Sequence, residues 1–399
     1  MKCRHCGNEI KLVMADLGTA PPSNAYVSSE KQAHYELWYP LKVVVCDQCW
    51  LVQTQDFTRA DELFTEDYAY FSSFSKSWLA HAKNYVDMVS ERFDLSEDSL
   101  VLEVASNDGY LLQYFQDKSI PNVGVEPTHS TASAARQKGL RVEEVFFGEK
   151  SAKALVQQYG TVDLSVANNV LAHVPDINDF VKGFSVILAS NGVGTFEFPH
   201  LQKLIEEFYF DTIYHEHFSY LSLVAVKSIF EAHGLRIFDV EEVATHGGSY
   251  RVYVCHQNGD QPVSKNVSLF LNKEIKFGLN TSKVYEEFQK RLMEFKRRFV
   301  KGMLELTESG PIVAYGAAAK GNTLLNFTRV DHSFISFIID QNPHKQNMLA
   351  PGSRIPIVAE PNLDSGKLLL FPWNLKREIQ EYFAIKAPNL EIITYQDLV

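Results

Sequence analysis

The sequence predicts an α/β protein: an open, mostly parallel sheet in the middle of the chain, a small cysteine-bearing segment before it and a second α/β unit after it. Three observations carry that expectation. Apolar strands alternate with helical stretches across residues 98–256, two C-x-x-C pairs lie within the first 49 residues, and a new strand, loop and helix begin at Gly310. The expected segments are residues 1–58, 59–260 and 261–399.

With 399 residues the chain is long enough for two or three domains with proper cores. Its 49 acidic residues outnumber 38 basic ones, a net charge of −11, and no Lys/Arg run marks a phosphate-tracking stripe. Nucleic acid is therefore not an expected partner. No stretch approaches the roughly 18 consecutive apolar residues of a membrane span, and residues 1–6 lack the apolar core of a signal peptide. We expect a cytoplasmic protein with no membrane partner.

The first segment holds Cys3 with Cys6 and Cys46 with Cys49, the two pairs 39 residues apart. In a reducing compartment four thiolates satisfy a tetrahedral zinc ion. Four sulfur ligands leave no position open for an activated water, so the zinc is expected to be structural. Unmetallated thiols are the alternative. His5 reads as a bystander, Cys255 stands alone, and residues 21–24 form an irregular loop. So small a segment should depend on its metal for stability.

Residues 68–77 are rich in aromatics and serine and lead into a helix carrying Trp78, Tyr85 and Met88 on one side. Residues 101–110, Val-Leu-Glu-Val-Ala-Ser-Asn-Asp-Gly-Tyr, follow: an apolar strand that ends in a loop of small residues. Such a loop falls at the carboxyl edge of a sheet, and its small side chains let a ligand approach the backbone. Glu103, Ala105, Asn107, Asp108 and Gly109 shape a pocket for the amino acid end of S-adenosylmethionine, with Glu103 and Asp108 able to hold an ammonium or a hydroxyl. Gly109 alone remains of a G-x-G-x-x-G pattern, which speaks against a dinucleotide fingerprint. A second strand, residues 122–126, ends in Glu126, placed about 20 residues on to reach ribose hydroxyls. A third, residues 162–167, delivers Asn168, Asn169 and His173 to the same edge. Each strand alone could belong to any α/β enzyme; the series of three argues for a cofactor site.

Residues 236–243 and 249–256 flank a Gly-Gly turn and read as an antiparallel hairpin, and a parallel sheet with a terminal hairpin is the methyltransferase arrangement. From 266 to 307 Tyr285, Phe288, Leu292, Phe295 and Phe299 recur at helical spacing, the buried face of a connecting helix. In the last unit, strand 311–315 runs into the loop Gly316-Ala317-Ala318-Ala319-Lys320-Gly321-Asn322, and a second strand, 334–340, follows. No Lys-Ser/Thr pair closes that loop, so it is no Walker loop, although backbone amides and Lys320 could receive phosphate.

Several of these segments together resemble one family, the three-domain sugar C-methyltransferases of deoxysugar biosynthesis. The carriers are the cysteine pairs, the stretch 68–73, the Glu103 loop, Asn169-Val170-Leu171-Ala172-His173, Glu197-Phe198-Pro199-His200, Tyr214-His215-Glu216-His217 and Thr245-His246-Gly247-Gly248. The Tyr-His-Glu-His segment is the most specific. The resemblance covers essentially the whole chain. It implies a class I S-adenosylmethionine methyltransferase core with Rossmann-like topology, a zinc-binding segment before it and a Rossmann-like unit after it. It also implies methyl transfer to a ring carbon, normally C3, of a nucleotide-diphosphate 4-keto-6-deoxy sugar. A ketone beside that carbon lets a base remove its proton as an enolate forms. By the family pattern His217 is the base, Glu216 and Tyr214 position the sugar or stabilise the oxyanion, and His173 with Tyr68 or Tyr70 lines the pocket. Lys320, Asn322, His200 and His246 are the implied substrate contacts. A metal pair, His215 with His217, and a packed polar turn are competing readings of the segment. An O-methyltransferase and a non-catalytic zinc-bearing assembly protein are the rival functions. A monomer or weak homodimer is expected.

Overall fold

The computed structural model describes residues 1–28, 35–55, 72–361, 363 and 365–399, with the side chain of His246 outside the description. Tyr68 and Tyr70 lie outside the described residues as well.

The amino-terminal segment forms β1 (Leu12–Ala20), the short β2 (Val27–Ser28), β3 (Tyr39–Val45) and β4 (Val52–Thr54). β1, β3 and β4 pair antiparallel, and the sheet takes its fourth strand, β10 (Ser219–Tyr220), from the middle of the chain. Ser219 opposes Gln53 and Tyr220 opposes Val52, so residues 214–217 lie directly upstream of a strand built into the cysteine-bearing segment.

The central sheet follows helix α1 (Lys76–Arg92). Its strands are β5 (Val101–Val104), β6 (Asn122–Val125), β7 (Val142–Glu143), β8 (Val162–Asn168), β9 (Leu188–Pro199), β11 (Leu235–Val243) and β12 (Ser249–His256), in the spatial order β11-β12-β9-β8-β5-β6-β7. The five strands from β9 to β7 are parallel, and β12 runs antiparallel to both β9 and β11. The expected hairpin is present, but its reversed strand β12 is interior and β11 forms the edge. All four residues of β5 are buried, as the near-continuous apolar run of a doubly covered parallel strand requires. The covering helices are α2 (Leu112–Asp117), α3 (His129–Gln137), α4 (Glu149–Tyr159), α5 (Ile177–Ile187) and α7 (Leu223–Ala232), with a short α6 (Leu201–Glu206) after β9.

The single connecting helix expected over 266–307 is two helices, α8 (Lys265–Phe277) and α9 (Lys283–Leu306). Gly278, at φ +102°, ends α8 in the left-handed conformation that a residue without Cβ takes at low cost. The predicted apolar face of α9 is buried, Tyr285, Phe288, Leu292, Phe295 and Phe299 together with Met303. It serves as a hub. One continuous core joins Met14, Leu17 and Val43 of the first sheet, the α9 face, Phe208 and Phe210, and Leu324, Phe327 and Ile338 of the last unit.

That last unit contains β13 (Ile312–Tyr315), α10 (Ala319–Thr328), β14 (Ile335–Ile339), β15 (Met348–Leu349), β16 (Ile357–Val358), β17 (Ser365–Leu370), α11 (Lys376–Lys386) and β18 (Asn389–Ile393). Five strands form a parallel sheet in the order β16-β14-β13-β17-β18, the doubly wound arrangement. β15 instead pairs with β2, tying the last unit to the first segment.

Candidate active site

The loop after β5 is built from backbone conformations that few side chains accept. Ala105, Asn107 and Gly109 all have positive φ, +56°, +48° and +76°. At Gly109 a Cβ would also overlap Leu140 Cδ1. Glu126, at the end of β6, holds the loop from below: its carboxylate accepts the Asn107 amide at 2.9 Å and the Thr128 amide at 3.0 Å. The end of the serine-rich stretch docks on the same loop, with the Ser72 amide donating to Asn107 Oδ1 at 2.9 Å and Ser73 Oγ to Asp108.

This edge of the sheet is rich in buried oxygens without a partner among the described residues. Both carboxylate oxygens of Glu103, Ser106 Oγ, Asp108 Oδ1 and Asn168 Oδ1 are buried and make no hydrogen bond to any described residue. Burial holds the Glu103 carboxyl well above the usual range, and the nearby Tyr110 hydroxyl offsets only part of that penalty. Orphaned buried acceptors are costly unless a ligand brings donors. An α-ammonium and ribose hydroxyls are such donors, so these residues fit S-adenosylmethionine. Burial also raises the Glu126 carboxyl, against the two amides that favour its charged form.

One strand further along, a 3₁₀ turn over Leu171–His173 carries His173 against His217, with ring centroids 4.7 Å apart. Tyr214 lies 4.0 Å from the His217 ring, and Tyr220 lies 5.8 Å from it. His217 Nδ1 is 3.0 Å from the Thr212 carbonyl, and His173 Nδ1 is 2.9 Å from the Glu216 carbonyl. A carbonyl can only accept, so in both rings Nδ1 carries a proton, and in the neutral ring Nε2 is the basic nitrogen. Burial lowers His173 to about 4, which keeps it neutral at ordinary pH.

Glu216 points elsewhere. Its carboxylate accepts Asn24 Nδ2 at 3.0 Å and Ser23 Oγ at 3.1 Å, both from the irregular loop between the cysteine pairs. Asn322 Nδ2 on α10 donates to the Ser23 carbonyl at 2.7 Å, and Thr323 Oγ1 to the Ile213 carbonyl at 2.8 Å. All three segments thus grip the Tyr214–His217 stretch. His215 departs from its neighbours: it is 7% exposed and meets the Tyr39 ring edge-on. The metal pair of His215 with His217 finds no support, because the only group among the described residues with the spacing of a metal site is the cysteine cluster.

Three expected substrate contacts have other partners. His200 accepts the Lys203 amide as the cap of α6 and stacks on Tyr250 at 3.9 Å. Asn322 is 1% exposed and spent on Ser23. Lys320 lies 4.0 Å over the Trp373 ring and donates to Asn374 Oδ1, with Trp373 stacked in turn on Tyr209. Sequence reasoning missed a network behind the site. Glu197, fully buried at the end of β9, accepts His81 Nε2 at 2.9 Å, Arg251 Nη2 at 2.7 Å and Thr245 Oγ1 at 2.8 Å. Glu197 stood in a quoted motif, whereas His81 carries no local signal at all.

The Sγ atoms of Cys3, Cys6, Cys46 and Cys49 lie within 4.8 Å of one another, with Cys3–Cys49 and Cys6–Cys46 at 3.5 Å. Zinc–sulfur bonds of about 2.3 Å in a tetrahedron set sulfurs about 3.8 Å apart. The cluster fits zinc. Gln53 Nε2 donates to Cys3 Sγ at 3.4 Å, and the Arg4 guanidinium reaches the carbonyls of Pro175 and Thr54 at 2.8 and 2.9 Å. The metal site is thereby fastened to the central sheet.

A seven-stranded sheet with one interior reversed strand, a pocket of orphaned acceptors at its carboxyl edge and a closed four-sulfur site define a class I S-adenosylmethionine-dependent methyltransferase that carries structural zinc. Comparison with known proteins narrows the class. The family model described as a C-methyltransferase C-terminal domain matches residues 244–389, a zinc binding domain model matches 3–64, and a methyltransferase domain model matches 79–240. The chain is 34% identical to C-methyltransferase NovU of Streptomyces niveus over 385 residues, 95% of this chain and 91% of that protein. It belongs to this C-methyltransferase family. Solved structures that it resembles include magnesium protoporphyrin IX methyltransferase of Synechocystis PCC 6803 with bound SAH (13% identity, 45% of this chain and 83% of that one, TM-score 0.36). Another is the PH0226 protein of Pyrococcus horikoshii (13% identity, 50% and 100% coverage, TM-score 0.38).

Proposed function

We propose that the protein methylates a ring carbon, C3 in our reading, beside the ketone of a nucleotide-linked 4-keto-6-deoxy sugar. The observation that carries this is the tautomer of His217, whose Nδ1 is held by the Thr212 carbonyl, which makes Nε2 the basic nitrogen of the neutral ring. S-Adenosylmethionine, held by Glu103, Asp108, Glu126 and the backbone of residues 105–109, supplies an electrophilic methyl group when bound.

His217 Nε2 takes the proton from the carbon beside the ketone, and the electron pair of that C–H bond moves to the carbonyl oxygen. Tyr214, packed on His217, is placed to donate to the oxygen as its charge grows. The pair then returns to that carbon, which would take the methyl group as the methyl–sulfur bond breaks and its electrons stay on sulfur, leaving S-adenosylhomocysteine, and the imidazolium yields its proton to solvent. His173, neutral and hydrogen-bonded through Nδ1, walls the base and keeps a second lone pair beside it. Glu216 acts from behind, anchoring the segment to Ser23 and Asn24. The loop before α10, with Lys320 and with Lys345 on the Ala317 carbonyl, supplies positive charge for the diphosphate.

The test incubates the protein with labelled S-adenosylmethionine and a panel of nucleotide-linked 4-keto-6-deoxy sugars and their reduced alcohols, and NMR locates the new methyl. Product from the ketone alone, with the methyl on carbon, supports the reading. Methylation of the alcohol's oxygen overturns it. His217→Asn should lower kcat by about 10²- to 10⁴-fold and leave cofactor affinity within about twofold; near-normal turnover in that variant removes His217 as the base.

A further inference from the structure

We propose that His81, held by Glu197, is a cofactor-binding residue that receives the carboxylate of the methionine end of S-adenosylmethionine. Two contact chains place this imidazole beside the pocket. Trp78 stacks on His81 at 5.0 Å and leans on Tyr110 at 5.8 Å, and Tyr110 ends the loop that begins beyond Glu103. On the other side Arg251 covers the Tyr85 ring at 4.7 Å and donates to the Glu197 oxygen that also meets His81. Glu197 is opposite Asn168 in the β8–β9 register, and its carbonyl accepts the Asn169 amide at 2.7 Å. His81 therefore stands at the carboxyl edge that carries the orphaned acceptors.

The charge inventory of this edge selects the ligand group. Glu103 and Asp108 offer only acceptor oxygens, and with Asn168 Oδ1 these answer the ammonium and hydroxyls of the cofactor. Its carboxylate needs donors. Among the described cations here, Lys138 is spent on the Asp108 carbonyl at 2.7 Å, and Arg251 is shared between Glu197 and Glu241. His81 directs Nε2 at both Glu197 oxygens, 3.0 and 2.9 Å away, so that nitrogen carries a proton. Nδ1 makes no hydrogen bond to the described residues, and the side chain is 21% exposed. With Nε2–H directed at Glu197 and Arg251 Nη2 3.2 Å from the same nitrogen, Nδ1 is the ring atom left to meet a ligand carboxylate, as an N–H donor.

The test uses three ligands and isothermal titration of the zinc-loaded full chain. S-Adenosylhomocysteine has both ends of the amino acid, its decarboxylated analogue keeps the ammonium but lacks the carboxylate, and 5′-methylthioadenosine lacks the whole amino acid end. His81→Leu should weaken S-adenosylhomocysteine by about 10- to 100-fold, the scale of a lost charge-assisted hydrogen bond. The same variant should leave the other two ligands within about twofold, erasing the preference for the carboxylate. His81→Gln, which keeps a donor and disturbs packing less, serves if the leucine variant does not fold, with a smaller loss of the same selectivity. Equal weakening for all three ligands assigns His81 to architecture and overturns the proposal, as does an unchanged S-adenosylhomocysteine affinity with a raised KM for the sugar. Failure of the unaltered protein to bind any of the three would instead strike the cofactor assignment itself.

Discussion

Replacing Glu197 by Gln removes one buried negative charge and leaves Arg251, whose side chain is 5% exposed, with Glu241 as its one counter-charge among the described residues. Two routes give the size of the effect. Burial alone would raise this carboxyl, but the His81 hydrogen bond and the Arg251 charge outweigh it and hold the group down to about 2, against an ordinary value of 4.5. At about 1.4 kcal/mol per unit, that depression corresponds to roughly 3 kcal/mol of stability at neutral pH. Breaking one member of a buried ion pair costs about 3–5 kcal/mol by general experience, and the surviving Arg251–Glu241 contact places the loss at the lower end. The folded value is depressed, so the contribution is complete above 4.5 and is lost as pH falls through 2. Urea unfolding of the native protein and Glu197→Gln at pH 7 should therefore differ by about 3 kcal/mol. Repeated at pH 3.5, the difference should shrink by roughly 1 kcal/mol. A difference below about 1 kcal/mol at pH 7, or one that does not change with pH, would refute the account of Glu197 as an ionised hub.

Stripping zinc with a chelator, or changing Cys46 to Ser, should abolish methyl transfer together with the fold of residues 1–55, because β4 pairs with β10 just beyond His217; activity that survives full metal loss, read by atomic absorption on the assayed sample, would contradict this coupling. Gly109→Ala should weaken S-adenosylhomocysteine by at least tenfold in isothermal titration, since the new Cβ meets Leu140 on backbone already at φ +76°; unchanged affinity would mean that the loop does not form the cofactor pocket. Glu274, fully buried on α8, accepts the amides of Leu223 and Val224 at 2.9 Å, and burial raises its carboxyl to about 7. The stability tied to its neutral form is therefore present below 4.5 and lost as pH rises through 7, by about 3 kcal/mol in all. Denaturation between pH 5 and 8 should show that slope in the native protein and not in Glu274→Gln.

Much of the site was legible because it rests on local chemistry. The strand ending in Glu103 and the small loop behind it need no distant partner to be recognised, since chain stiffness carries them to a sheet edge. The C-x-x-C pairs announce a metal by thiol chemistry alone, and the five aromatics of α9 announce a buried face by spacing. His200 and Asn322, expected as substrate contacts, have protein partners that the sequence did not show, for the opposite reason. A histidine before a helix and an asparagine inside one look the same in sequence whether they face a ligand, cap a turn or bridge to another segment, and here Lys203 and Ser23 take them. His81 was invisible because its partner Glu197 is 116 residues away.

From its sequence alone this protein owes the zinc ligands, the order of strands and helices, the small-residue loop after the Glu103 strand and the histidine-rich segment 214–217. The tertiary structure decided that His217 donates through Nδ1 to the Thr212 carbonyl, that the Glu216 carboxylate accepts from Ser23 and Asn24, and that three segments share one core. The division follows from range: dihedral preferences, ligand spacing and apolar periodicity act within a few residues, whereas the protonation and aim of a buried side chain depend on which distant group supplies its hydrogen bond.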